Sequence, residues 1–165
     1  MGMKVTGVNR SHKEEIKEWG IDRFHKLDDA VSALPGCRFV IMALELNDET
    51  RNIVDGGFLG AMDKDSYLIN VARAELVSRG ALEVALREGK IAGAGLDVFW
   101  NEPADPDDPL LNDPLVTLTP HIGGVTDEAI LGVAAHVAEN IFRLERGEDP
   151  LNCLNRPAGG EEGLI

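Results

Sequence analysis

Four side chains in this sequence have types and positions suited to acid–base chemistry on a small anion: Arg73, Asp97, Glu102 and His121. Each follows an apolar stretch of strand length: Arg73 after "SYLINVA", Asp97 and Glu102 after "IAGAGL", and His121 after "VTLTP". Histidine titrates near neutral pH and can give or take a proton during a reaction. A carboxylate bonded to its second ring nitrogen fixes the tautomer and favours the protonated form. Arginine offers a planar fork that grips a carboxylate through two hydrogen bonds. Together they suit a small substrate carrying a carboxylate beside a carbonyl or hydroxyl. Taken singly, each has a plainer reading: Arg73 in a surface ion pair, His121 as a turn residue after Pro120, Asp97 and Glu102 as loop carboxylates. As a set at strand ends they favour a site.

The elements that would position them form an alternating pattern. "KVTGVNR" (4–10) reads as a strand, "HKEEIKEWG" as a short charged helix ending at Gly20, and "DDAVSALPG" as a helix stopped by Pro35-Gly36. "CRFVIMAL" (37–44) is a strand of continuous apolar character, and "NDETRNIVDGGFLGAM" (47–62) reads as a helix with a polar start. After the strand ending before Arg73 comes the helix "SRGALEVALREGK", with Ser78 as N-cap and Gly89 near its stop. Two further strands follow, separated by the proline-rich loop "NEPADPDDPLLNDP". The last helix starts near Thr126, with Asp127 and Glu128 at its positive end, and keeps Ile130, Val133, Val137 and Ile141 at helical spacing. "RPAGGEEGLI" reads as a frayed tail.

Apolar strands without alternation, separated by helices, predict a parallel sheet buried on both faces with right-handed crossovers. The expected fold class is therefore α/β, a Rossmann-like doubly wound parallel sheet. In such a sheet ligands bind beyond the carboxyl ends of the strands, where the candidate residues lie.

Composition narrows the function classes. The 165 residues are 44% hydrophobic and 27% charged, as in an ordinary globular protein, and one domain's length. A net charge of −13 argues against nucleic acid, which needs a cationic surface. No apolar run approaches the ~18 residues of a membrane span, so no membrane partner is expected. Cys37 and Cys153 lie far apart, and His12, His25, His121 and His136 show no ligand spacing. Two ordinary thiols, a cytoplasmic setting and no metal are the expectation.

Three ordered segments, "INVARAELV", "GAGLDVFWNEP" and "LTPHIGGVTDEA", resemble the signatures of D-isomer-specific 2-hydroxyacid dehydrogenases, and "LNDETRNIV" resembles the segment those enzymes carry after the fourth strand of the cofactor domain. The likeness runs from about Lys4 to Cys153. It implies that Arg73 clamps the substrate carboxylate and polarises the carbonyl, His121 is the general acid or base, Glu102 orients His121, and Asp97 holds the nicotinamide carboxamide. It implies an NAD(P) cofactor bound by Asn9, Arg10, Ser11, Leu44, Glu45, Val71, Ala72, Asp97, Gly123 and Gly124. The implied reaction is hydride transfer between NAD(P)H and a small 2-oxo acid such as glyoxylate or hydroxypyruvate. A non-catalytic corepressor-like binding module is the alternative, because it would keep the same residues. The family is usually dimeric, which makes the final helix and "NDETRNIVDGG" candidates for a homodimer contact.

Departures matter too. Ala74 stands where the family usually has glycine, and Glu45 where it commonly has proline. An acidic residue ending the first strand would accept from the ribose of NAD. Here Asn9, Arg10 and Ser11 offer donors and a positive charge, which leans towards NADP; Arg10 as a solvent-facing turn residue stands as an equal reading.

The sequence contains no G-x-G-x-x-G. In the family that loop and its strand precede the segment resembling "GMKVTGVNR", as does the substrate domain. The expectation is thus an incomplete sheet: residues 1–150 as the C-terminal part of the NAD(P)-binding domain, and 151–165 as a return segment and tail. With the first strand absent from a 3-2-1-4-5-6 order, its neighbours would stand two spacings, ~10 Å, apart. Such a chain, read as a fragment, should have little activity alone.

Overall fold

The run 37–44 becomes β3 (Phe39–Met42), the outer strand of a four-stranded parallel sheet in which it is followed in order by β4 (Tyr67–Asn70), β5 (Gly93–Leu96) and β6 (Val116–Leu118). The computed structural model describes residues 2–10 and 20–154. Strands β4 (Tyr67–Asn70), β5 (Gly93–Leu96) and β6 (Val116–Leu118) follow the sequence reading, with Phe39 in register with Tyr67 and Tyr67 with Gly93. A separate two-stranded parallel sheet pairs β1 (Thr6–Asn9) with β2 (Arg23–Lys26). Among the described residues the two sheets share no ladder. Both lie in the unit Met1–Ile122; Gly123–Ile165 forms a second unit.

The core of the first unit lies against the four-stranded sheet. Leu59 of α1 (Gly56–Ala61), Leu68 of β4 and Leu82 of α2 (Arg79–Arg87) have no exposed surface. Burying each such side chain contributes about 1.5–3 kcal/mol. Helix α2 follows Ser78 as read, although the Ser78 side chain makes no capping bond; it stops at Gly89, whose φ of 62° suits glycine. Gly93 has a different reason to be glycine: a Cβ there would lie 2.6 Å from the Leu115 carbonyl oxygen, so the close β5–β6 approach excludes a side chain.

Three readings need correction. The sheet is not buried on both faces, because Phe39 and Ile41 on one face of β3 are 52% and 62% exposed. Residues 47–62 are not one helix. Asn47 instead closes a turn, its Oδ1 accepting from the Glu49 and Thr50 amides, and Val54 forms a bridge with Val77. Helix begins only after Asp55, whose side chain accepts from the Phe58 amide. Of the segment "DDAVSALPG", read as a helix, residues 28–33 lie in a 3-10 stretch, Leu27–Ala33, kinked at Asp29. Strand β2, with its polar sequence Arg-Phe-His-Lys, was not anticipated. All of the helix read over 12–20 except Gly20, and the whole tail from 156, lie outside the described residues.

The second unit is built on α3 (Asp127–Glu145). Thr126 caps it, accepting from the Ala129 amide at 3.1 Å, and Asp127 and Glu128 occupy the first turn as read. The chain then returns along the helix, with the Leu151 amide donating to Asn140 Oδ1 at 2.7 Å and Arg143 Nε donating to the Asp149 carbonyl at 2.7 Å. Among the described residues no helix is long and apolar enough to cross a membrane.

Candidate active site

The sheet brings Arg73, Glu102 and His121 to one place. All three line an open cleft of about 310 Å³, together with Glu75, Val98 and Trp100. Its strongest contact joins His121 Nδ1 to both Glu102 oxygens, at 2.9 and 3.0 Å. The Phe99 amide donates to Glu102 Oε1 at 3.2 Å, fixing the carboxylate from behind. The hydrogen bond with His121, and next the Phe99 amide, hold the Glu102 carboxyl below the ordinary carboxylate range; the Arg73 charge adds a smaller pull the same way.

Each residue is placed by a buried neighbour. Asn70, the last residue of β4, has no exposed surface. Its Nδ2 donates to the Arg73 carbonyl at 2.8 Å and its Oδ1 accepts from the Ala72 amide at 3.1 Å. One side chain thereby fixes the turn that presents Arg73, whose Nη1 donates to the Ala72 carbonyl at 2.7 Å. Ala74 opens the short 3-10 turn Ala74–Leu76 and is not among the residues of positive φ, so no glycine is required there.

Asp97 is 5% exposed. Its Oδ1 accepts from Thr119 Oγ1 and, at 3.0 Å, from the Ile122 amide. These bonds clamp the turn on either side of His121, which sits at φ 55°, a region that side chains other than glycine seldom adopt. Backbone held in such a conformation by its surroundings tends to mark functional positions. The His121 amide donates to the Thr119 carbonyl at 3.0 Å, closing the turn.

The loop carrying Glu102 is fastened to α2. Arg79 forks onto Asp108 at 2.8 and 2.6 Å, donates to Glu83 at 2.9 Å and lies over the Trp100 ring at 5.8 Å, while Trp100 Nε1 donates to the Val77 carbonyl. The Arg79 guanidinium holds the Asp108 carboxyl below its usual range.

A second cleft, about 600 Å³, adjoins the first through Arg73. It is lined by Leu44, Glu45, Val71 and Ala72, four of the residues expected at the cofactor. Asn9 and Arg10 lie elsewhere, at the end of β1. There Asn9 Oδ1 accepts from the Arg10 amide, and Arg10 stands 3.9 Å from Glu49, in a cleft shared with Lys26. Ser11 lies outside the described residues, and Gly123 and Gly124 open the second unit. Sequence reasoning did not single out Asn70, Thr119, Lys26 or Glu49. A polar residue closing an apolar run was the available signal for Asn70; nothing local marked the others.

The donor set fits the nicotinamide half of a dinucleotide: a cleft walled by Leu44, Glu45, Val71 and Ala72, bordered by a guanidinium and adjoining an imidazole paired with a carboxylate. Among the described residues no glycine-rich turn opens a helix beside β1, so nothing described here cradles a pyrophosphate.

Residues 1–123 match the family model described as D-isomer specific 2-hydroxyacid dehydrogenase, NAD binding domain. A glyoxylate reductase of Aeropyrum pernix is 40% identical over 156 residues, covering 94% of this chain and 45% of that protein. The D-isomer specific 2-hydroxyacid dehydrogenase of Xanthobacter autotrophicus Py2, solved with NADPH and MES, superposes with a TM-score of 0.76 at 33% identity, over 93% of this chain and 62% of that one. The NAD-complexed enzyme of Lactobacillus delbrueckii ssp. bulgaricus superposes with a TM-score of 0.80 at 29% identity, over 93% and 49%. The chain spans just under half the length of the curated relatives it matches.

Proposed function

The chain belongs to the D-isomer specific 2-hydroxyacid dehydrogenase family, and on that premise we propose that residues 1–150 are the C-terminal part of its NAD(P)-binding domain, with 151–165 as a return segment and tail. The whole enzyme would interconvert a small 2-oxo acid, of the glyoxylate or hydroxypyruvate kind, and its D-2-hydroxy acid. The observation that carries this reading is the cleft in which Arg73 faces the His121–Glu102 pair.

The roles follow from the chemistry of each group. Arg73 takes the substrate carboxylate through its fork and draws electron density from the adjacent carbonyl. His121, hydrogen-bonded to Glu102 through Nδ1, holds a proton on Nε2 for the developing alkoxide and takes it back in the oxidative direction. Glu102, bonded to Nδ1 through both oxygens, fixes the orientation of the ring. NAD(P)H supplies the hydride when bound. Leu44, Glu45, Val71 and Ala72 would wall the nicotinamide side, with Asp97 near its carboxamide, and Gly123 and Gly124 would be further cofactor residues by family resemblance. Asn9, Arg10 and Ser11 would meet the adenosine ribose. Arg10 with Lys26 in one cleft favours a 2′-phosphate, and Glu49 beside Arg10 opposes it.

The test is a chimera in which the Aeropyrum pernix glyoxylate reductase supplies the portion of the enzyme that this chain does not match. The expected result is glyoxylate reduction that prefers NADPH to NADH, with Arg10→Gln narrowing the preference. A folded chimera that binds neither nucleotide would overturn the proposal.

A further inference from the structure

Residues 97–115 form neither helix nor strand, so the loop carrying Glu102 must be placed by its side chains. Among the described residues the Glu102 carboxylate is bonded to His121 and to the Phe99 amide of its own loop. Neither bond says where the loop stands relative to Arg73. Arg79, the first residue of α2, does. Its guanidinium lies over the ring of Trp100, two residues before Glu102, and forks onto Asp108, six residues after it. Nε, donating to Glu83 one helical turn on, keeps the fork aimed. Trp100 is also secured by donating to the carbonyl of Val77, which has no exposed surface. The buried segment that runs from Arg73 to Arg79 therefore grips both limbs of the loop that presents Glu102.

We propose that Arg79 is a positioning residue for the acid–base pair: by clasping Trp100 and Asp108 it holds the Glu102 carboxylate on His121 Nδ1, at a fixed place relative to Arg73. The catalytic consequence rests on the dehydrogenase reading, whereas the contact itself can be read without any reaction. The chemistry requires arginine. A planar guanidinium meets a carboxylate edge-on and an aromatic face at the same time, and the ammonium of lysine is a point charge that cannot fork. Burial separates this clasp from a surface ion pair, since the Asp108 side chain is 13% exposed. Arg38 supplies the comparison. It makes the same two kinds of contact, with Asp65 at 2.9 Å and over the Tyr67 ring at 6.0 Å, but both charged partners are exposed. It also precedes β3, at the amino ends of the strands, opposite the rim that carries the site.

The tautomer of His121 reports the contact, because a carboxylate at Nδ1 keeps the proton of the neutral ring on that nitrogen. Long-range proton–nitrogen NMR of the 165-residue chain, at alkaline pH and without nucleotide, measures it. The Nδ1–H form should dominate in the unchanged chain and in Arg38→Met. Arg79→Met and Arg79→Lys should each lower the ratio of Nδ1–H to Nε2–H by about threefold or more, the weight of one net hydrogen bond. Asp108→Asn, which can still accept from the Leu110 amide, should shift it the same way and serves if the Arg79 variants fail to fold by circular dichroism. In the chimera these variants should lower kcat for glyoxylate by about tenfold, with KM and nucleotide affinity unchanged, as displacement of a general acid does. An unshifted tautomer in the folded variants, or an equal shift in Arg38→Met, would overturn the proposal. So would an unchanged kcat in Arg79→Met when His121→Gln abolishes turnover. If the tautomer shifts as expected but His121→Gln leaves turnover intact, the positioning stands and the dehydrogenase reading alone fails.

Discussion

His121 Nδ1 meets both oxygens of Glu102, at 2.9 and 3.0 Å, so that one carboxylate fixes the ring from the side away from Nε2. This bond is the chief reason that the Glu102 carboxyl lies below its ordinary range. His121→Gln should therefore raise the Glu102 pKa back towards the ordinary glutamate range. Carboxyl-carbon NMR titration measures it. The sign for stability follows: the contact contributes fully above the ordinary glutamate pKa and is lost as pH falls through the depressed value. An unchanged Glu102 titration in the variant would refute the pairing.

Asn70 is the hidden support of Arg73. Asn70→Ala would strand the Ala72 amide and the Arg73 carbonyl, each costing about 1–3 kcal/mol if left unsatisfied in the interior. Urea unfolding should show a loss of that order, and hydrogen exchange should quicken at 71–73. A loss below about 0.5 kcal/mol would mean that the turn holds itself.

The glycines of β5 differ in what surrounds them. Gly93→Ala sets a methyl 2.6 Å from the backbone oxygen of Leu115, which cannot swing away. Gly95→Ala meets only the Ile69 side chain, nearest at its Cδ1 end, 3.0 Å away. The first should cost about 1–3 kcal/mol and the second distinctly less. Thermal denaturation separates them, at about 2–4 °C per kcal/mol for a domain of this size.

These predictions fall where the sequence was least informative. The strands of the larger sheet were legible because each is an apolar run bounded by polar residues, and α3 because Thr126 and its acidic first turn mark its start. Strand β2 was hidden because Arg-Phe-His-Lys is short and mostly polar. The segment 47–55 has helix-like composition, but Asn47 and the Val54–Val77 bridge satisfy its backbone in other ways. At the site the candidate groups stood out by type and by resemblance. Their supports, Asn70 and Thr119, became visible only once the strand ends were adjacent.

The Arg79–Asp108 fork ties the Glu102 loop to α2. Arg79→Met should cost about 1–2 kcal/mol, less than a fully buried pair, because the arginine is partly solvated. A double-mutant cycle with Asp108→Asn should return a coupling of about 0.5–3 kcal/mol. Additive effects would mean that the loop is held by Trp100 packing instead.

The central claim is that Arg73 and His121 act on the substrate rather than on the fold. The decisive measurement is kcat/KM for glyoxylate in the chimera carrying Arg73→Gln or His121→Gln, alongside nucleotide affinity. Loss of the general acid should lower the rate by about 10²–10⁴-fold with nucleotide affinity unchanged, and loss of Arg73 should lower kcat/KM at least tenfold. A variant of either residue that keeps its rate within about threefold, a difference of only ~0.65 kcal/mol, would contradict the account.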